Sequence, residues 1–209
     1  MGPDSTLTMS YNKIIESASE VSNFFEILFS DGVKGTITRN EVTGNICNFS
    51  SPDVNTPDCG SDWFTEVQAF GIDVSGAGDE SVISSNYVSN NDIGIALFEG
   101  SGCCIIDHNK LTDNPFFGIV IDDSEHTISN TKIFGGNIGV AAIAEDFPSS
   151  ANTVAILDHI KIVDAKIPVQ AVSSGEFTAA VNVVSPYFLA PLLTIPLHFF
   201  LFLTNFKIL

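Results

Sequence analysis

Apolar and polar positions alternate over stretches of three or four residues along most of this chain, and polar turns separate the stretches. "VISSNYVSNNDIGIAL", from Val82 to Leu97, and "IIDHNKLTDNPFFGIVI", from Ile105 to Ile121, repeat almost the same pattern. Alternation with a period of two predicts short β-strands rather than helices. The repetition predicts that successive segments fold into the same unit.

Each repeat is defined by an apolar residue, here called position x. The x residues are Met9, Ile37, Ile83, Ile106, Ile128 and Leu157. Asparagine follows at x+3 in four repeats and at x+8 in three: Asn12, Asn40, Asn86 and Asn109, then Asn45, Asn91 and Asn114. A second strand follows, introduced by Gly71, Gly94, Gly118, Gly139 or Pro168. Its predicted inward pairs begin with Phe25/Ile27 and Ile72/Val74. Ala179 is predicted as a further x, which places Asn182 at x+3.

Repeated short strands of this kind predict a solenoid, because each coil can pair its strands with those of the coils above and below. Residues at the same offset then form continuous columns along the axis. Asparagine suits such columns, since it tolerates left-handed turns and its amide bonds to the same amide one coil away. We therefore expect an all-β chain with an apolar bore and two asparagine columns.

The spacing of asparagine, glycine and apolar residues in "NYVSNNDIGIAL" and "NKLTDNPFFGIVI" resembles that of the right-handed parallel β-helix repeats of the pectin-lyase-like fold, including the NosD-like and carbohydrate-associated groups. The resemblance covers residues 7–184 and implies about six or seven coils. We expect a β-helix over residues 1–184, with an inserted loop at 46–70, and a hydrophobic tail at 185–209. This fold supports lyases, hydrolases, epimerases, adhesins and plain scaffolds, so it does not specify an activity.

The chain has 209 residues and a formal net charge of −17, from 25 acidic and 8 basic residues. Such a charge argues against nucleic acid, anionic lipid and polyanionic sugar as direct partners unless divalent cations bridge them. Calcium has no defined loop motif here. The two Asp-His pairs, at Asp107 and Asp158, belong to coils too far apart to share one metal ion.

The acidic residues do not form a catalytic cluster in this alignment. Asp122 has Phe98 and Ile143 as neighbours across coils, and Asp123 has Glu99 and Ala144, so no cluster of three acids forms. Arg39 lies beside no acid in the following coil, so the catalytic patterns of lyases and hydrolases are not matched. Trp63 and Phe64, in the inserted loop, could stack against sugars. A structural role, covering the apolar outer face of the second strands, is the alternative. Trp63, Phe64, Asp122 and Asp123 are the predicted carbohydrate-binding residues, and no residue is predicted to be catalytic or to bind a metal.

Cys47 and Cys59 enclose a short turn-rich segment, and we predict a disulfide between them in an oxidising compartment. Cys103 and Cys104 are predicted to be small apolar fillers, because neighbouring side chains diverge along a strand. No signal peptide opens the chain, and the first coil lacks a cap, which favours truncation at the amino terminus. The tail could be a membrane anchor, a cleaved anchoring signal, a core cap or an out-of-frame artefact.

From these observations we expect a non-catalytic extracellular or cell-surface scaffold, with carbohydrate as its candidate ligand and without nucleic acid. A membrane contact is expected only if the hydrophobic tail is an anchor. The alternative is a polysaccharide lyase or glycoside hydrolase of the same fold. A continuous apolar outer face would favour the scaffold, and a cation beside clustered carboxylates in a groove would favour the enzyme.

Overall fold

The computed structural model describes residues 5–15, 25–30, 32–44, 46, 69–98, 104–144, 152–173 and 177–189. These residues form strands and turns, with no helix among them. The predicted hydrophobic tail lies outside the described residues from residue 190 onward. Within the described ranges, no helix is long and apolar enough to cross a bilayer.

The strands in chain order are β1 (Thr6–Ser10), β2 (Lys13–Ile15), β3 (Phe25–Ser30), β4 (Lys34–Thr38), β5 (Glu41–Thr43), β6 (Phe70–Ser75), β7 (Ser81–Ser84), β8 (Tyr87–Ser89), β9 (Ile93–Phe98), β10 (Cys104–Asp107), β11 (Lys110–Thr112), β12 (Phe117–Asp122), β13 (Glu125–Ser129), β14 (Lys132–Phe134), β15 (Ile138–Ala144), β16 (Thr153–Val163), β17 (Ile167–Ser173) and β18 (Ala179–Leu189). All of the strand pairs are parallel.

The strands stack as a parallel β-solenoid of about five turns, which confirms the predicted fold class but with fewer coils than the six or seven expected. In each coil a first strand, a three-residue second strand and a longer third strand follow one another. The third strand is the glycine-led strand that the sequence predicted as the second of each repeat, because the x residue and the three-residue strand were there counted as one strand. The first strands stack from β1 to β16, the second strands from β2 to β14, and the third strands from β3 to β17. In β16 the first and second strands are continuous, so the two stacks join there into one sheet.

The predicted register is confirmed along most of the axis. Ile83 pairs with Ile37 on one side and Ile106 on the other, and Ile106 pairs with Ile128. These side chains are fully or almost fully buried. Burying an isoleucine side chain contributes roughly 1.5–3 kcal/mol. The continuous column of isoleucines is therefore a main source of the solenoid's stability.

The asparagines at x+3 form a ladder of hydrogen bonds along the axis. The Oδ1 atom of Asn86 accepts from the backbone N and the Nδ2 of Asn40, at 3.0 and 3.1 Å. The backbone N and the Nδ2 of Asn86 both donate in turn to Oδ1 of Asn109, and Nδ2 also donates to the carbonyl of Ile37. The ladder runs from Asn12 to Asn109, whose backbone N donates to a threonine hydroxyl. The predicted first column is thus confirmed.

The second ladder is shorter in the described residues. The backbone N of Asn91 donates to Oδ1 of Asn114 at 3.1 Å, and Nδ2 of Asn114 donates to the carbonyl of Val88. Asn45, the third predicted member, lies outside the described residues. A Cβ atom at Gly94 would lie 2.9 Å from the Asn114 amide and 2.6 Å from the Gly118 carbonyl oxygen. Glycine opens the third strand because the neighbouring coil leaves no room for a side chain.

The predictions for the two end coils are wrong in detail. In the first coil, Ile27 pairs with Ile72 and Phe29 with Val74, so the register partners of the Ile72/Val74 pair are Ile27 and Phe29 rather than Phe25 and Ile27. In the last coil, Val183 rather than Ala179 pairs with Leu157, so Val183 occupies position x. Asn182 is consequently exposed and outside the asparagine ladder. The apolar register of β18, rather than the single asparagine, determines its alignment.

The strand pairing between β16 and β18 continues to Leu189, beyond residue 184, where the pattern in the sequence was expected to end. It contains two register shifts, next to Asp158, which accommodate a different spacing in β18. The change in spacing explains why the repeat is hard to follow in the sequence after Val183.

Candidate functional site: a lysine-bearing side face

The second strands present one narrow outer face, because the middle residue of each three-residue strand points into the core. We name this surface the lysine face. It consists of the outward x+4 and x+6 positions of β2, β5, β8, β11, β14 and the second half of β16: Lys13, Glu41, Tyr87, Lys110, Lys132 and Lys161, then Ile15, Thr43, Ser89, Thr112, Phe134 and Val163. Parallel register stacks the members of each column at about 4.8 Å.

Lysine and aromatic side chains contact one another across the coils of this face. The Nζ atom of Lys110 lies 5.0 Å from the ring centroid of Tyr87 and 5.9 Å from that of Phe134. Nζ of Lys161 lies 6.0 Å from the Phe134 centroid on the other side. These distances are within the range of cation–π attraction. The ammonium groups are thereby held near the two rings.

Hydroxyl groups accompany the lysines in the x+6 column. Ser89 Oγ donates to Thr43 Oγ1 at 3.0 Å. The Thr112 hydroxyl is shielded from solvent and has no hydrogen-bond partner among the described residues. A buried hydroxyl without a partner is uncommon and costs free energy. Thr112 pairs in register with Phe134, and its shielded hydroxyl is not open to a ligand.

Two Asp-His pairs lie at the corner between the first and second strands. Oδ1 of Asp107 accepts from Ser129 Oγ at 2.6 Å and from Asn130 Nδ2 at 2.9 Å, and its other oxygen contacts His108 Nδ1. Partial desolvation acts to raise the pKa of Asp107, but these hydrogen bonds and His108 outweigh it and lower the pKa below its usual value. Asp107 is therefore an ionised acceptor with a structural role in the turn.

The second pair, Asp158 and His159, has Nδ1 and Oδ1 at 2.7 Å. The coil containing Ser129 lies between the two pairs, as predicted. His108 and His159 both have left-handed backbone angles, with φ of 55° and 54°, and are exposed. No group of three or more His, Cys, Asp or Glu side chains in the described ranges is arranged to hold a metal ion.

The predicted carbohydrate-binding residues are only partly described. Asp122 ends β12 and pairs with Phe98 and Ile143, as the sequence alignment predicted. Asp123 is the following turn residue, largely buried, with φ of 48°. Both lie on the third-strand side of the coil, away from the lysine face. Trp63 and Phe64 lie outside the described residues, so the carbohydrate-binding role of these four residues stays a prediction.

The outer face of the third strands is apolar and buried, although it points away from the core. Ala96, Val120 and Ala141 are fully buried there and form a second hydrophobic cluster with Ile143 and other residues. The sequence predicted an apolar outer face, covered by the loop at 46–70. The burial agrees with a covered face, while the loop itself is described only at Ile46, Ala69 and Phe70.

Two buried ionisable groups were not identified from the sequence. Asp73, on the outer side of β6, is 2% exposed and accepts a hydrogen bond from Ser75 Oγ at 3.0 Å. Burial raises its pKa to about 6 against the hydrogen bonds from Ser75 and Val74. His126, in β13, is 2% exposed, and burial lowers its pKa to about 4. Neither of its ring nitrogens has a hydrogen-bond partner in the described part of the chain.

The prediction that Cys104 is an unbonded apolar filler is wrong, because Cys104 is disulfide-bonded. It is nonetheless buried in the hydrophobic core, as expected of a small apolar residue. Its partner is one of Cys47, Cys59 and Cys103, all of which lie outside the described residues. A Cys47–Cys59 bond would leave Cys103 as the partner of Cys104. The Cys47–Cys59 bond stays a prediction.

The lysine face was missed in the sequence, although its columns were visible. The informative signal was that lysine recurs at x+4 in an acidic chain. No family model, no curated protein and no solved structure matches this sequence.

Proposed function

We propose that this protein is a non-catalytic scaffold, extracellular or on a cell surface, whose lysine face associates with carbohydrate. Its assignment to the pectin-lyase-like group belongs to the same proposal. Three strands per coil, parallel stacking and asparagine ladders support that assignment. The ligand depends on the side chains of the lysine face, because a fold of this kind determines neither activity nor ligand.

The observation that carries the proposal is the arrangement of Tyr87, Lys110 and Phe134. The two rings lie two coils apart, about 10 Å along the axis at the usual strand spacing, with the lysine between them. Aromatic rings offer apolar faces against which sugar rings can stack, while lysine and hydroxyl groups can bond to sugar hydroxyls.

The asparagine ladder supports this role by holding the face in a fixed geometry. Each second strand of the first four coils begins directly after a ladder residue, as Tyr87 follows Asn86 and Lys110 follows Asn109. The ladder fixes the backbone of both positions through bonds of 3.0–3.1 Å. A preorganised surface loses less entropy on binding than a flexible one.

Binding to a glycan panel, measured by calorimetry with the full chain, tests the proposal. The panel should include neutral and acidic polysaccharides. We expect saturable binding that falls at least about tenfold in a Tyr87→Ala/Phe134→Ala variant, a loss of about 1.4 kcal/mol. Tyr11→Ala is the matched control, since Tyr11 is exposed at a corner outside the lysine face. The control should bind like the unmodified protein.

Three results would contradict parts of the proposal. Absence of binding to every glycan would overturn the carbohydrate role. Loss of binding in Trp63→Ala, with Tyr87→Ala/Phe134→Ala unaffected, would move the site to the inserted loop. Accumulation of cleaved product during incubation with a polysaccharide would overturn the non-catalytic part, and its loss in Asp122→Ala would assign the activity to that carboxylate.

A further inference from the structure

The lysine face has a charge opposite to that of the rest of the protein. The whole chain carries 8 basic and 25 acidic residues. The twelve outward positions of the face hold four lysines and one glutamate, so its formal charge is 4 − 1 = +3. Half of the basic residues are therefore concentrated on one narrow strip. A local field of this kind attracts anions even though the net charge repels them.

Three of the lysines are stacked directly on one another. Lys110 pairs with Lys132, and Lys132 pairs with Lys161. Like charges at directly opposite positions of neighbouring strands destabilise a sheet. In the first coils the same column is neutralised instead, because Nζ of Lys13 lies 2.7 Å from Glu41. None of the three stacked lysines forms an ion pair with any residue that the structure describes.

The surplus charge and its spacing define the kind of ligand that fits. We infer that the lysine face binds a linear polysaccharide carrying carboxylate or sulfate groups, which lies along the solenoid axis over Lys110, Lys132 and Lys161. The inference rests on the proposed function, namely that this face associates with carbohydrate. Evenly stacked ammonium groups match an anion that repeats along a polymer better than a single compact anion.

The rings favour a polysaccharide over other linear polyanions. Phe134 lies between the ammonium groups of Lys110 and Lys161, and Tyr87 lies at the end of the lysine stack. A sugar chain alternates ring faces with its charged groups over lengths comparable to one or two solenoid coils. It can therefore contact rings and ammonium groups together.

Carboxylates border the face at both corners and restrict how a polyanion can lie. Asp107 and Asp158 are at the turn before the second strands, and Asp113 and Asp164 are at the turn after them. A polyanion crossing the coils sideways would meet these carboxylates, whereas one parallel to the axis meets the lysines. Repulsion of the wrong orientation contributes to specificity as much as the attraction does.

The test compares two variants of equal net charge. Lys110→Gln/Lys132→Gln/Lys161→Gln removes the stacked lysines. Lys34→Gln/Arg39→Gln/Lys166→Gln removes three charges from exposed basic residues that lie outside the lysine face. Binding to a uronate polymer, a sulfated polysaccharide and the carboxyl-reduced uronate polymer is measured at low and high salt. A thermal melt of each variant checks that it is folded.

We expect the stack variant to lose at least about tenfold in affinity for the charged polymers, with a shallower salt dependence, because fewer counterions are released. The control should stay within about twofold. The carboxyl-reduced polymer should bind much more weakly than its charged parent. Comparison of the uronate and sulfated polymers identifies which anionic group is preferred.

The outcomes separate this inference from the proposed function. If the carboxyl-reduced polymer binds as tightly as its parent, the carbohydrate role stands and the anionic ligand is wrong. If no polysaccharide binds, the proposed function fails as well. Equal losses in both triple variants would show a general charge effect and overturn the assignment to the stack. Tighter binding of single-stranded DNA of similar length would overturn the polysaccharide in favour of nucleic acid.

Discussion

Asn86 and His126 lie in the same solenoid and are buried to nearly the same extent, at 1% and 2% exposure. The side chain of Asn86 accepts two hydrogen bonds and donates two. His126 makes none with the residues that the structure describes. Position in the coil explains the difference. Asn86 lies at a corner, where backbone groups need partners, whereas His126 lies within a strand whose backbone is already paired.

The comparison shows two consequences of burying a polar group. A satisfied group stabilises the fold and fixes register, because its removal leaves several partners without bonds. An unsatisfied ionisable group stays in its neutral form, because charging it in the bore would be costly. The first kind makes stability sensitive to mutation, and the second makes it sensitive to pH.

The largest expected effect is the loss of one ladder residue. Asn86→Ala should lower the free energy of unfolding by about 4 kcal/mol, since it leaves the Asn40 amide groups, the Ile37 carbonyl and Oδ1 of Asn109 with fewer partners. Urea denaturation followed by circular dichroism measures the change. Asn182→Ala is the matched control, because Asn182 is exposed in β18, and it should change stability by less than about 0.5 kcal/mol.

If Asn86→Ala and Asn182→Ala proved equally mild, the ladder would not contribute to stability beyond ordinary turns. Substitution by aspartate at position 86 sharpens the test. An ionised aspartate retains an acceptor for the Asn40 groups but has no donor in place of the amide. Partial recovery of stability would separate the accepting role of Asn86 from its donating role.

The sequence predicted the interior of this molecule better than its surface. The columns containing Ile83, Ile106 and Asn86 follow from alternation and repeat length alone, since each coil supplies the neighbours of the next. The end coils were less predictable, because only one neighbouring coil constrains them. Val183 took the place expected for Ala179 when the apolar residues of β18 aligned with β16.

The local charge of a surface depends on which residues stack in each column, and the net charge of the chain does not show this. The net charge of −17 argued against polyanionic sugars as direct partners in the absence of bridging cations, yet Lys110 and Lys132 lie in one in-register column. The inward position of His126, two residues before Ile128, follows from alternation and was within reach of the sequence. The burial of Asp73 was not, because its side chain points out of the coil and what surrounds it there is not set by the repeat.

The second expected effect is a loss of stability in acid that depends on His126. Its pKa is about 4 in the folded protein against 6.5 for the ordinary group. Above pH 6.5 the ring is neutral in both states and its protonation contributes nothing. As the pH falls from 6.5 to 4, the unfolded chain binds a proton that the folded chain cannot, so unfolding becomes more favourable by about 3 kcal/mol.

His126→Leu should remove this pH dependence. The variant should be at least as stable as the unmodified protein at pH 7.5, since leucine leaves no unpartnered nitrogen, and more stable by about 2 kcal/mol or more at pH 4.5. Urea denaturation at both pH values gives the difference. The exposed histidine variant His159→Asn is the control and should show no comparable change. A difference that is the same at both pH values would contradict a buried, neutral imidazole.

The third expected effect has the opposite sign and belongs to Asp73, whose folded-state pKa is about 6 instead of 3.8. Below pH 3.8 the carboxyl is protonated in both states. As the pH rises to 6 and above, the free energy of unfolding falls by about 3 kcal/mol from its value below pH 3.8, since the unfolded chain ionises first. Asp73→Asn should therefore stabilise the protein by about 2 kcal/mol at pH 7.5, while the exposed control Asp79→Asn should change little.

Between pH 4 and 6 the two groups oppose each other. Protonation of the unfolded chain at His126 makes stability rise with pH, and retention of the proton on folded Asp73 makes it fall. Their contributions to the slope nearly cancel in the unmodified protein. Each single variant should therefore show a steeper pH dependence than the double variant Asp73→Asn/His126→Leu, with slopes of opposite sign. Single variants with slopes of the same sign would show that at least one group is not buried as described.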